Sequence, residues 1–182
     1  MTVQQLAAAT AAGDLETVRR LLADEPSLAR EYTEEGWSAL HLAATPEIAA
    51  MLLDAGADIN ARNRHKFAGS GNSPLSAAVY QQRNDVVRLL IERGADVNQG
   101  DNAGWTPLHL AAAHGYVESA RMLLDAGTDP NARTGDVGGP RWANKTPMEL
   151  LSDGEPKRDD GTPVPSETDA EIRSLLHEHG VS

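Results

Sequence analysis

The 182-residue chain is 40% hydrophobic but only 4% aromatic, with Phe67 its one phenylalanine, and it has no cysteine. This excludes disulfides, thiolate zinc sites and a cysteine nucleophile, and it points to a core of alanine and leucine in which thin helices pack closely. The formal net charge of −11 argues against a broad nucleic-acid footprint, which needs a positive field; solubility is the simplest reading of the acidity.

No stretch approaches the roughly 18 apolar residues of a membrane span. The opening Met1-Thr2-Val3-Gln4-Gln5 lacks a basic region followed by an apolar run. The expectation is a cytoplasmic protein that contacts neither membrane nor nucleic acid and is monomeric by itself.

In chain order, Leu6 to Arg30 gives two short helical segments, the second running Gly13-Asp14-Leu15-Glu16-Thr17-Val18-Arg19-Arg20-Leu21-Leu22. Then comes Gly36-Trp37-Ser38-Ala39-Leu40-His41-Leu42-Ala43-Ala44, a phrase that returns as Gly71-Asn72-Ser73-Pro74-Leu75-Ser76-Ala77-Ala78. It returns again as Gly104-Trp105-Thr106-Pro107-Leu108-His109-Leu110-Ala111-Ala112, and in degraded form as Asn144-Lys145-Thr146-Pro147-Met148-Glu149-Leu150-Leu151. Ser or Thr before Pro starts a helix: the hydroxyl caps an orphan N–H, and Pro at the first position forfeits no hydrogen bond. A second phrase follows three of these copies, ending Gly56-Ala57-Asp58-Ile59-Asn60, Gly94-Ala95-Asp96-Val97-Asn98 and Gly127-Thr128-Asp129-Pro130-Asn131. Its glycine sits where a helix end needs a left-handed residue.

Leu6, Leu40, Leu75, Leu108 and Met148 recur at spacings of 34, 35, 33 and 40 residues. These linked phrases, on a period of about 33, resemble the ankyrin repeat over nearly the whole chain. The resemblance implies an all-α solenoid of about five helix–turn–helix repeats with β-turn finger loops. It would form one domain over 1–182, with approximate repeats at 1–33 (an N-terminal cap), 34–66, 67–100, 101–133 and 134–182. It also implies that His41 and His109 hydrogen-bond backbone between repeats.

The departures from the pattern are local. The second copy is short between His41 and Ile48, which predicts an abbreviated first helix. Extra residues enlarge the fingers around Arg64 to Ser70 and around Thr134 to Trp142. The last copy carries an insertion, 153–167, rich in Asp, Glu, Pro and Gly, which reads as a mobile loop between its two helices.

No catalytic residue, metal site or cofactor is expected. His177 and His179 are two apart and so face different ways on a helix, whereas a metal pair needs three or four. His65 and His114 read as isolated and exposed. Gly69-Ser70-Gly71 lacks the Lys-Ser/Thr ending of a phosphate loop.

The chain is therefore expected to be a non-enzymatic protein-binding scaffold, an adaptor or regulatory subunit. By resemblance its partner would dock on the fingers and first helices, on the concave face. The candidate contact residues are Trp37, Arg64, Lys66, Phe67, Asn72, Tyr80, Gln81, Asn102, Trp105, His114, Trp142 and Lys145. Trp37, Asn72, Trp105 and Lys145 occupy one variable finger position, and tryptophan is over-represented at binding hot spots. Each Trp could equally pack over the next finger. Arg62, Arg64 and Lys66 form a local basic cluster suited to an acidic segment of the partner. The rival readings are an enzyme or metal-dependent module built in the long insertions, and a self-associating structural array.

Overall fold

The computed structural model describes residues 2–64, 71–136, 142–152 and 165–181. The expected mobile insertion lies outside them up to residue 164, as do Lys66, Phe67 and His65. The last helix opens at Ser166, so the insertion ends before the expected Glu167.

The described residues form nine α-helices and two 3-10 turns, with one isolated bridge, Tyr32 to Ser38, and no β-strand among them. The chain divides into two compact units, 1–96 and 97–182.

In the first unit α1 (Val3–Ala12) and α2 (Leu15–Asp24) form one antiparallel pair. The 3-10 turn Ala39–Leu42 and α3 (Pro46–Asp54) form the next, and α4 (Pro74–Tyr80) and α5 (Asn84–Glu92) the third. First helices stack on first helices and second on second: α1 and α4 flank the 3-10 turn, while α3 lies between α2 and α5. The second unit repeats the plan with α6 (Pro107–His114) against α8 (Pro147–Ser152) and α7 (Val117–Asp125) against α9 (Ser166–Glu178).

No helix pair could bury its apolar face alone, so stacking supplies the core. Leu6, Val18, Leu40, Ile48, Leu52, Leu75, Val87 and Leu90 are sealed in the first unit; Leu108, Ala111, Ala112, Leu123, Ile172 and Leu176 are sealed in the second. Each buried leucine contributes about 1.5–3 kcal/mol. α2 turns Glu16, Arg19, Arg20 and Asp24 to solvent, the polar outer face expected of a cap.

The Ser/Thr caps form as their chemistry dictates. Ser73 accepts from the Ser76 N–H at 3.1 Å, Thr106 from His109 at 3.4 Å and Thr146 from Glu149 at 3.2 Å.

The two box histidines do more. His41 Nε2 lies 2.9 Å from the Asn72 carbonyl, and His109 Nε2 lies 3.0 Å from the Lys145 carbonyl, each on the next finger. A carbonyl only accepts, so Nε2 carries the proton. Nδ1 is then an acceptor, used by the Ser38 hydroxyl at 2.8 Å in one copy and by the Thr106 hydroxyl and N–H at 2.8 and 3.2 Å in the other. The neutral tautomer thus ties a helix cap to the following repeat. Ser76 replaces this histidine in the third copy, and its hydroxyl stays within its own cap, 3.3 Å from Ser73. Glu149 replaces it in the last copy and accepts from the Thr146 N–H at 2.7 Å and from Arg133 at 3.1 Å. The cap hydrogen bond holds the Glu149 carboxyl below its ordinary range.

The shortened second copy is repaired by its neighbour. The carbonyls of His41, Leu42 and Ala43, left without the helical turn that would have bonded them, accept from the third copy instead. Arg83 Nη1 donates to Leu42 at 2.9 Å and to Ala43 at 2.8 Å, and Gln81 Nε2 donates to His41 at 3.3 Å. Gln81, expected among the residues for a partner, is exposed, but its amide donates to this repair. Gln82 holds φ at 54°, where the equivalent positions after α1 and α6 hold Gly13 at 74° and Gly115 at 71°. A side chain there clashes with the following carbonyl.

Two predictions follow from these local choices. Gln82→Gly should relieve that clash and raise stability by about 1 kcal/mol, read as a higher melting temperature. The second concerns acid. Burial pushes the His41 and His109 imidazoles below their ordinary 6.5. The unfolded chain therefore takes up these protons first, so the stability the neutral rings confer is complete above pH 6.5 and is lost as pH falls below it. Denaturant unfolding should show wild type weaker at pH 5.5 than at pH 7.5. A His41→Gln/His109→Gln variant should be less stable at pH 7.5 but lose less on acidification.

Candidate functional site

The fingers are built from one repeated hydrogen-bond exchange. In the first unit the Thr33 N–H donates to the Trp37 carbonyl at 2.8 Å, and the Trp37 N–H returns to Thr33 Oγ1 at 3.2 Å. In the second, Asp101 and Trp105 exchange at 3.0 and 2.8 Å, and Thr134 and Lys145 at 2.9 Å in both directions. Asn63 plays the same part in the enlarged finger, donating to the Asn72 carbonyl at 3.0 Å while its side chain accepts from Gly71 at 2.7 Å. Neighbouring fingers within a unit are joined by single backbone bonds, Arg64 to Gly36 at 2.8 Å and Gly135 to Ala103 at 2.7 Å. At that joint Gly104, with φ 76°, could take no side chain, because a Cβ would stand 2.6 Å from the Gly135 nitrogen.

Trp37 and Trp105 are half-buried rather than solvent-facing. Each sets its ring against the histidine four residues on, Trp37 against His41 at 5.6 Å and 67°, Trp105 against His109 at 6.1 Å and 51°. The four copies pair these positions consistently: Trp37 with His41, Asn72 with Ser76, Trp105 with His109 and Lys145 with Glu149. At this finger position tryptophan stands in the two copies that have an imidazole four residues on, which gives its recurrence a basis in local packing. Trp105 has a second neighbour, Trp142, edge to face at 5.8 Å. Trp142 is also half-buried, and its carbonyl accepts from Thr134 Oγ1 at 2.5 Å. The Trp105–Trp142 pair thus leaves part of two large rings at the surface, beside exposed Asn102 and Asn144.

The other expected contact residues are distributed differently. Arg64 lies with its guanidinium carbon 3.7 Å over the Tyr32 ring. Arg62 donates to the Gly71 carbonyl at 3.3 Å, and the finger bonded to theirs carries exposed Glu34 and Glu35, so the local field is mixed rather than simply basic. Tyr80 is exposed at 46%, the one exposed large hydrophobic among the described residues. His114, expected to be exposed and isolated, is half-buried and stacked on Tyr116 with ring centroids 5.4 Å apart; burial lowers its affinity for a proton. Sequence reading could not foresee a ring two residues away folding back over the helix end. Among the described residues no group of His, Asp and Glu is arranged to hold a metal ion. No helix among the described residues is long and apolar enough to cross a membrane.

Known proteins resemble the chain in sequence. The chain is 45% identical over 67 residues to human protein phosphatase 1 regulatory subunit 27, a match covering 37% of this chain and 44% of that protein. It is 37% identical over 178 residues to the rice E3 ubiquitin-protein ligase XB3, covering 70% of this chain and 38% of the ligase. It is 34% identical over 132 residues to the Hydra tyrosine-protein kinase HTK16, covering 66% of this chain and 16% of the kinase. The chain spans less than half the length of each of these relatives. The family model for ankyrin repeats in three copies matches residues 2–63 and again 61–134, and with the capped helix pairs, the histidine links and the finger hairpins it establishes that the chain belongs to the ankyrin-repeat family.

Proposed function

We propose that this chain is a non-catalytic protein-binding scaffold, an adaptor or regulatory subunit, that holds its partner on finger residues. The observation that carries this reading is the Trp105–Trp142 pair: two rings packed edge to face, half-exposed, on a finger surface that also presents Asn102 and Lys145. Large rigid aromatics of this kind dominate interface energetics because they bury much area at little entropic cost. In the first unit, Trp37, Arg64, Asn72 and Tyr80 would supply further contacts, with Lys66 and Phe67 in the same finger sequence. Protein phosphatase 1 is the first partner to test, since a relative named as its regulatory subunit shares 67 residues at 45% identity with this chain.

The two tryptophans should separate by experiment. Trp142→Ala should weaken partner binding by about 2 kcal/mol or more, with a small change in melting temperature. Trp105→Ala should lower both, because it also uncovers His109. Binding measured by calorimetry that is indifferent to Trp142→Ala, in a variant shown to be folded, would remove this surface from consideration.

A further inference from the structure

Three independent features meet in Tyr80, the last residue of α4, and Gln81-Gln82-Arg83, which join α4 to α5. Tyr80 exposes nearly half of its surface. Gln82 keeps a side chain in a left-handed backbone where the equivalent positions have glycine, and such a strained choice persists when something compensates it. Arg83 is half-buried, yet among the described residues its bonds all run from one nitrogen, Nη1, to the Leu42 and Ala43 carbonyls. No carboxylate among the described residues pairs with it, although the chain has 27 acidic residues and other arginines of the unit are paired: Arg93 meets Asp54 at 2.9 Å, and Arg19 meets Glu16 at 2.9 Å. A guanidinium drawn partly out of water, with Nε and Nη2 still to donate, favours an anion.

We propose that Tyr80, Gln82 and Arg83 form a docking site for an acidic segment of a partner protein. A partner carboxylate takes the free edge of the Arg83 fork. An apolar side chain next to it lies on the Tyr80 ring, and the Gln82 amide serves the segment's backbone. The shortened 3-10 turn Ala39–Leu42 makes the site possible, because its open carbonyls hold Arg83 in place from behind. This deepens the protein-binding reading and rests on it, while placing recognition of charge at Arg83 instead of the finger cluster of Arg62 and Arg64.

The test is selection of a random dodecapeptide display library on the immobilised full chain. Peptides enriched in Asp or Glu beside an aromatic or branched aliphatic residue are expected. Changing that acid to its amide should weaken binding about tenfold or more, since the charged pair is the stronger bond. Tyr80→Ala, Gln82→Gly and Arg83→Lys should each weaken the selected peptides several-fold, with the melting temperature unchanged for the first and raised for the second. The proposal is overturned if no peptide is enriched, if the enriched peptides lack acid, or if Tyr80→Ala and Gln82→Gly bind them as wild type does. Peptides lost in Trp142→Ala but kept in Gln82→Gly would overturn this site and support the finger surface. The converse would support this site against the fingers.

Discussion

The structure depends on a neutral imidazole that faces two ways. In His41 and His109 the protonated nitrogen reaches forward to a carbonyl of the next finger, and the bare nitrogen receives the hydroxyl of its own helix cap. One side chain therefore fixes where a helix begins and where the adjoining repeat lies. The bond from the cap hydroxyl needs Nδ1 bare and hence the ring uncharged, and burial favours that form. The tryptophans belong to the same device. Trp37 and Trp105 lie against these rings and limit water's access to them, and the copies with serine or glutamate in the box carry asparagine or lysine in the finger.

The repeats, the caps and the short first helix of the second copy were legible in the sequence, and the inter-repeat role of the histidines followed from the family resemblance. They depend on local chemistry repeated at a fixed period: a hydroxyl before a proline, an apolar stripe, a glycine at a helix end. Two lessons were not legible. The recurrence of tryptophan at one finger position suggested surface anchors, and each ring is also packed on a histidine four residues along, in the helical segment that follows the finger. Gln81 and Arg83 looked like surface polar residues, yet they are bonded to carbonyls about 40 positions earlier. A deletion is visible in a sequence, but the side chain that compensates it is identified only once the third dimension is known.

Function is less legible than fold because the scaffold is held by residues that recur, while recognition uses residues that do not. Tyr80, Gln82, Arg83 and Trp142 are not repeated in the other copies; among them are an exposed ring, a left-handed backbone, a half-buried guanidinium and a half-buried ring. Departure from the repeat is thus the more informative signal for a binding surface than recurrence within it.

The grip of Arg83 on Leu42 and Ala43 also bears on how such a chain can be cut and spliced. Repeats are often regarded as interchangeable bricks, duplicated or excised without regard to neighbours. Here the second copy lacks a turn that the third supplies, so the two make a single heritable piece. A recombination that duplicated the second copy alone, or placed an ordinary repeat after it, would leave three backbone carbonyls facing inward with no donor. The lost turn and the arginine that answers it must travel together.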